Sequence, residues 1–372
     1  MTIETQTPHV PHFVHAEPTK EDLDWADLAA IDLSKAKTFE GRKSLVKQVH
    51  DAIKNDGFLF VVNHGATPEQ ISRMFDLSNY ASEHVSDEEK RKYEGRMRET
   101  GTYRGYKLRK FWHIVGGVRD QIEQYNMNFR EIRDGGHPEP LRPFLPEIDD
   151  FAKQIHSDII NTLLRIIALS LELDEEYFVQ MHDHSANAET FLRLVSYGFK
   201  SFPRPEEDES KAGGVWLKGH TDFMTLTLLF SQPVSALQIL TKAGEWKWVK
   251  HVENGVLVNI GEAVEFLTGG YYKPTIHRVR QPPIDQQNKT RVGLLYFASA
   301  HDDIVFKPIA ESPVIQRAGA LESRLLGGEF PTAGEYGKAR VTAYGGTQPI
   351  KQDKMTGIDE EVVGGVLLRH YN

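Results

Sequence analysis

Trp216-Leu-Lys-Gly-His-Thr-Asp-Phe-Met-Thr-Leu-Thr-Leu-Leu229 sets an imidazole and a carboxylate two residues apart at the mouth of an apolar run. Along a β-strand, residues two apart project to the same face. His220 and Asp222 are therefore expected to point together into whatever that strand covers. The spacing alone is weak, because 16 histidines make one His-x-Asp expected by chance. It occurs at His156/Asp158, His220/Asp222 and His301/Asp303. The first pair lies in a helical run, where residues two apart face different ways. The third follows a strand in a turn, where a polar pair is solvated. A His-x-His at His182/His184 reads as a polar loop.

Around this stretch, short β-type runs alternate with Gly, Pro, Asn and Asp at 191–199, 224–230, 236–240, 246–251, 255–261, 276–280, 291–297 and 303–309. Strands this short and this close predict a sandwich or a closed jelly roll. Upstream the texture is mixed. An extended piece at Ala30–Leu33 precedes helical spacing over Phe39–Asn55 and a buried strand over Gly57–Val62, closed by Asn63-His64-Gly65. Thr67, Pro68 and Gln70 carry the N-cap, first-turn proline and capping-box signals of a further helix. A long helix is expected from about Pro146 to Leu173, and a terminal one over Gly334–Ala343.

The 372 residues can bury a full core, and 40% hydrophobic with 26% charged residues is ordinary globular composition. A net charge of −9 argues against nucleic acid or anionic lipid as partner. The basic stretch Lys90–Lys110 reads as a solvated loop, with an anion-guiding role as the alternative. No cysteine is present, so any metal must sit on His, Asp or Glu. The first residues lack the apolar core of a signal peptide. The greasiest run, Ile155–Leu173, is interrupted by His156, Asp158 and Arg165, which fits a buried helix better than a membrane span. A cytoplasmic protein is the expectation.

A second histidine is needed to close a site, and His277 opens the short strand run Ile276–Arg280. Two His and one carboxylate on one face leave the rest of an octahedral ion open, the arrangement of non-haem ferrous oxygenases. Zinc is the chemical competitor. Arg291 begins an apolar strand, and its permanent charge needs a partner: an internal acid, or a bound dicarboxylate gripped at two points. Tyr197 can offer a hydroxyl to the same ligand. Tyr103, Tyr106, Trp112, Tyr125, Phe129, Trp216, Phe223 and Phe297 are the candidate pocket aromatics.

These motifs stand in a familiar order: Asn55-Asp-Gly-Phe-Leu-Phe-Val-Val-Asn-His-Gly65, Leu192-Arg-Leu194, His220-Thr-Asp-Phe223, Leu226-Thr-Leu-Leu229, Gly244-Glu-Trp246, Val258-Asn-Ile-Gly261 and His277-Arg-Val279. From about Ile31 to Pro308 the chain resembles the 2-oxoglutarate- and ferrous-iron-dependent dioxygenases, in the branch similar to isopenicillin N synthase and the plant flavonoid oxygenases. The resemblance implies an α+β fold: a double-stranded β-helix (jelly-roll, cupin-like) core with an N-terminal helical and strand module and a C-terminal helical tail. The corresponding divisions are 1–115 (with 1–28 as a tail), 116–310 and 311–372. It makes His220, Asp222 and His277 the iron ligands and Arg291 the anchor of the distal carboxylate of 2-oxoglutarate. Tyr197 becomes a neighbour of the cosubstrate and Phe297 a substrate-facing aromatic; from the candidate pocket aromatics, independently of the resemblance, Phe223, Tyr106 and Phe129 are expected as further substrate contacts. Asp222 is present, so the halogenase variant of the site is not expected.

The implied activity is hydroxylation, desaturation or cyclisation at an unactivated carbon of a mid-sized, secondary-metabolite-type small molecule. Dioxygen is consumed, succinate and CO2 are released, and ascorbate is admitted as a supporting reductant. A monomer is implied. Two departures stand out. Arg291-Val-Gly293 replaces the usual Arg-x-Ser, and Ser196-Tyr-Gly-Phe199 replaces a Tyr-Tyr-Pro-Pro run. The missing serine keeps open a ferrous oxidase that ignores 2-oxoglutarate; a non-catalytic binding protein on the same jelly roll is a second rival, against which the intact His220, Asp222 and His277 set argues.

Overall fold

The computed structural model describes residues 8–114, 117–183, 187–198, 200, 203–319, 324, 329–344, 351–353 and 358–371. His184 and Phe199 lie outside them. Strands β1 (Ala30–Asp32) and β2 (Phe58–Val62) flank helix α1 (Phe39–Asp56), and α2 (Pro68–Glu83) follows. The Thr67/Gln70 capping box forms as the sequence predicts. Next come β3 (Gly105–Lys107), β4 (Ile122–Asn128), β5 (Phe191–Tyr197), β6 (Val215–His220), β7 (Leu226–Phe230) and β8 (Leu237–Leu240). The core closes with β9 (Trp246–Trp248), β10 (Val256–Ile260), β11 (His277–Arg280) and β12 (Arg291–Ala298). Three C-terminal strands complete the set: β13 (Lys351–Asp353), β14 (Ile358–Val363) and β15 (Val366–Tyr371).

Among the described residues two sheets form, in the orders β1-β2-β10-β7-β12-β5-β4-β3 and β13-β14-β15-β6-β11-β8-β9. They make the jelly roll. Apart from the parallel pair β1–β2, the strand pairs are antiparallel. The larger sheet is buried on both faces, and its period of two sorts side chains between them. Val292, Leu294 and Tyr296 of β12, with Leu192 and Leu194 of β5, join the helix-backed core. The residues between them, Arg291, Leu295, Phe297, Arg193, Val195 and Tyr197, line a cavity between the sheets.

Four expectations are corrected. The long helix runs as Leu145–Ile155 and Asn161–Ser170 joined by a π turn, His156–Ile160. There the buried His156 bonds the Tyr296 hydroxyl at 2.8 Å, and the π turn is the single-turn bulge that such geometry usually forms inside an α-helix. Residues 303–309 form no strand, only a single bridge from Val305 to Thr332. The C-terminal tail is helical at Ala333–Ala343 but ends in the β13–β15 meander, which reaches β6 through Tyr371 and Gly219. This covers part of an otherwise open sheet edge. The basic stretch is not simply a solvated loop either. Lys90 pairs with Glu123 at 2.8 Å, Arg109 with the same carboxylate at 2.9 Å, and Lys107 with Asp120, all buried or nearly so. Among the described residues no helix is long and apolar enough to cross a membrane.

Candidate metal centre and its cavity

His277 and His220 are directly paired residues on the antiparallel strands β11 and β6. Neighbouring strands lie close enough for two such side chains to share one point in space, and the ring centroids are 4.3 Å apart. His220 is the last residue of β6, so Asp222 stands beyond the strand rather than on it. The period-of-two argument is therefore replaced by a turn. Glu262 N–H donates to the Asp222 carbonyl at 2.8 Å, and Gly261 N–H to that of Thr225 at 3.0 Å. A Cβ on Gly261 would lie 1.8 Å from the Met224 carbonyl oxygen, so the close approach of these two segments requires glycine.

Each ligating atom is aimed by a second contact. The Nδ1–H of His220 donates to the Lys218 carbonyl at 2.8 Å, and that of His277 to the Thr275 carbonyl at 3.2 Å. Both rings then present the Nε2 lone pair. Asp222 Oδ2 accepts from Thr227 Oγ1 at 2.6 Å and Asn259 Nδ2 at 3.0 Å. Its Oδ1 is left 3.7 Å from His220 Nε2 and 3.9 Å from His277 Nε2. One ligand atom from each of the three lies within 4.8 Å of the others. Burial, reinforced by His277, pulls His220 down to about 3, so the imidazole is neutral. Burial opposes ionisation of Asp222, but His277, His220 and the two hydrogen bonds outweigh it and hold the carboxyl below its ordinary value. Neutral imidazoles and one carboxylate are the donor set of a divalent transition metal.

Arg291 lies on the same cavity wall. Its guanidinium sits 4.1 Å from the centre of the Tyr197 ring, and Nε reaches only the Val234 carbonyl at 3.3 Å. No acid among the described residues pairs with it, and its buried Nη1 has no hydrogen-bond partner. The internal salt bridge considered from sequence is absent there. A buried, permanently charged fork with a free edge suits a carboxylate ligand.

The expected aromatics divide. Phe297, Phe223, Tyr103 and Trp112 line the part of the cavity next to His220 and Asp222. Tyr106 and Phe129 do not. Tyr106 packs on Tyr125 with its hydroxyl on the Ala81 carbonyl, and Phe129 packs on His156 and Tyr296. Both are on the helix side of the sheet, as is Tyr125, while its neighbour Gln124 takes the cavity face. Trp216 instead stacks beneath Arg204. His182 is buried with Thr225 and Phe178 as partners, a structural role rather than a loop histidine.

Sequence reasoning missed Phe191, Arg193, Arg340 and Tyr344 as lining residues. The first two share the face of Tyr197 by strand period, a signal that was available. Arg340 and Tyr344 come from the terminal helix and have no such signal.

Two family descriptions match the chain: "non-haem dioxygenase in morphine synthesis N-terminal" over residues 28–144, and "2OG-Fe(II) oxygenase superfamily" over residues 188–299. Together they span more than half of it. The UPF0676 protein of Schizosaccharomyces pombe is 29% identical over 340 residues, covering 87% of this chain and 95% of its own length. Rice 1-aminocyclopropane-1-carboxylate oxidase 1 is 27% identical over 271 residues, covering 72% and 78%. The crystal structure of full-length Neurospora crassa T7H in complex with alpha-KG superposes with a TM-score of 0.71 at 20% identity, over 89% of this chain and 100% of that one.

Proposed function

Because the chain belongs to the 2OG-Fe(II) oxygenase superfamily and is a 2-oxoglutarate-dependent dioxygenase, we propose that it oxidises an unactivated carbon of a mid-sized small molecule at His220, Asp222 and His277. Bound ferrous iron and 2-oxoglutarate supply dioxygen activation, coupled to decarboxylation of the cosubstrate to succinate and CO2. The donor set fits that metal, and the orphaned Arg291 fits the cosubstrate's far carboxylate. His220 and His277 bind through Nε2 and Asp222 through Oδ1, with Thr227 and Asn259 holding the other carboxylate oxygen. Arg291 and Tyr197 orient the cosubstrate from the opposite end.

The observation that carries the reading is the convergence of three aimed ligand atoms in one cavity with a buried arginine that has no acid of its own. The cavity is lined mainly by apolar and aromatic side chains with a few polar groups converging on it, as small-molecule sites are. Hydroxylation is the outcome proposed. Desaturation or ring closure needs only a different pose against the same centre. Anaerobic addition of ferrous iron and 2-oxoglutarate should produce the visible charge-transfer band of the chelate. Absence of the band in the native protein, or an undiminished band in His220→Ala, would reject the assignment.

A further inference from the structure

β5 carries a second arginine on the cavity face, and the proposed function leaves it without a task. Arg193 is nine-tenths buried and lines both the region around His220 and Asp222 and the region around Arg291. Its Nε donates to Asn126 Oδ1 at 2.6 Å. The guanidinium lies 4.7 Å, 4.9 Å and 5.1 Å from the ring centres of Phe297, Tyr103 and Phe191. Its Nη2 has no hydrogen-bond partner, and no acidic side chain among the described residues forms an ion pair with it. Arginine cannot escape by losing its proton, so a full charge stands buried among aromatic rings.

The charges around the cavity show what is missing. Arg340 is matched by the fully buried Glu262, 3.2 Å away. With ferrous iron and dianionic 2-oxoglutarate bound their charges would offset each other, and Asp222, the one acid among the described lining residues, can offset only one of Arg291 and Arg193. The enclosed cavity is then left with one positive charge in excess. Buried charges are normally paired.

Resting on the iron and cosubstrate assignment above, we propose that the substrate is a ring-bearing monocarboxylate whose carboxylate pairs with Arg193. Its ring lies along the wall formed by Phe191, Phe297, Tyr103 and Trp112. Phe191 and Phe297 are stacked at 4.6 Å and present a flat apolar surface beside the charge. The Nη edge of Arg193 supplies the recognition, since Asn126 already holds Nε. A neutral substrate with only a carbonyl acceptor would bond the arginine but leave its charge unmatched.

The test uses the protein loaded anaerobically with ferrous iron and 2-oxoglutarate, titrated calorimetrically with 2-naphthoate, indole-3-acetate and trans-cinnamate and with their primary amides. The charge-transfer band is followed throughout, so that displacement of 2-oxoglutarate is visible. At least one acid is expected to bind about ten-fold or more tighter than its amide with the band retained. That preference should disappear in Arg193→Gln and persist in part in Arg193→Lys. Acids that bind no better than amides, acids that bind only by displacing 2-oxoglutarate, no acid binding at all, or a preference unchanged in Arg193→Gln would each overturn the proposal. The comparison within the native protein decides the matter even if a variant does not fold. Loss of the band before any probe is added would instead sink the iron and cosubstrate assignment.

Discussion

Arg340, from the terminal helix Ala333–Ala343, donates from Nη2 to the carbonyl oxygen of Thr221 at 3.1 Å. Thr221 is the residue between His220 and Asp222, so the C-terminal extension holds the loop that carries two of the proposed ligands. Glu262 completes the clamp. It is fully buried and accepts from Tyr336 at 2.5 Å and from the Thr221 hydroxyl, while Arg324 and Arg340 supply its counter-charges. Burial alone would raise the Glu262 carboxyl, but the two arginines and the hydroxyls hold it below its ordinary value.

Glu262→Ala strands Arg340 as an unpaired buried cation, and removing one partner of such a pair costs about 3–5 kcal/mol. Urea unfolding should show that loss. Glu262→Gln keeps the shape and should lose less. In both, the ligand loop is freer, so iron affinity measured by anaerobic titration should fall. An iron affinity equal to that of the native protein would show that the clamp serves stability alone.

Asn259→Ala removes one of two donors to Asp222 Oδ2 without touching a proposed ligand. Outer-shell contacts of this kind are worth about 10–100-fold in metal affinity. The expected result is weaker iron binding in that range with the fold retained by circular dichroism.

Arg291→Leu separates binding from stability. The substitution removes the charge-assisted grip on the distal carboxylate, so the KM for 2-oxoglutarate should rise by about 10–100-fold. It also removes a buried cation that no acid pairs with among the described residues, so Tm should hold or rise. Succinate release against 2-oxoglutarate concentration, together with a melting curve, checks both halves.

Gly293, where the family pattern has serine, sits across from Val195 on β5. A Cβ added there would lie 2.7 Å from Val195 Cγ1, so the valine fills the space a serine side chain would use. Gly293→Ser is therefore expected to destabilise by about 1–3 kcal/mol through overpacking rather than to improve cosubstrate binding. The double variant Val195→Ala/Gly293→Ser should recover most of the loss in a denaturant titration.

Glu189 supplies a pH signature. Burial pushes its carboxyl up to about 7, against about 4.3 in an unfolded chain. Between those values the folded protein keeps a proton that the unfolded chain has released. This contribution to stability is therefore present below pH ~4.3 and is lost as pH rises to about 7. Glu189→Gln keeps an acceptor for the Tyr103 N–H, now at 2.9 Å, and removes the titration. It should raise stability at pH 8 by about 1–3 kcal/mol and change little at pH 4. Equal gains at both pH values would exclude this origin.

The sequence by itself determined the elements that obey local rules. The Thr67 capping box, the core strands of alternating face, and His220, His277 and Arg291 at strand ends all follow from periods and caps that act over a few residues. Strand period would also have put Arg193 on the face of Tyr197, and would have warned that Tyr125 turns away from the cavity when Gln124 faces it. Only the tertiary structure decided the rest. Asp222 meets His220 through a turn fastened by Gly261 and Glu262, not through a continued strand. Tyr106 and Phe129 are core because of which sheet face meets the helices. Arg340 and Tyr344 reach the cavity because a C-terminal helix docks over a loop more than a hundred residues earlier in the chain. Periodicity reports which side of an element a residue occupies. What lies opposite that side depends on how distant segments close around one buried charge, and no local pattern records it.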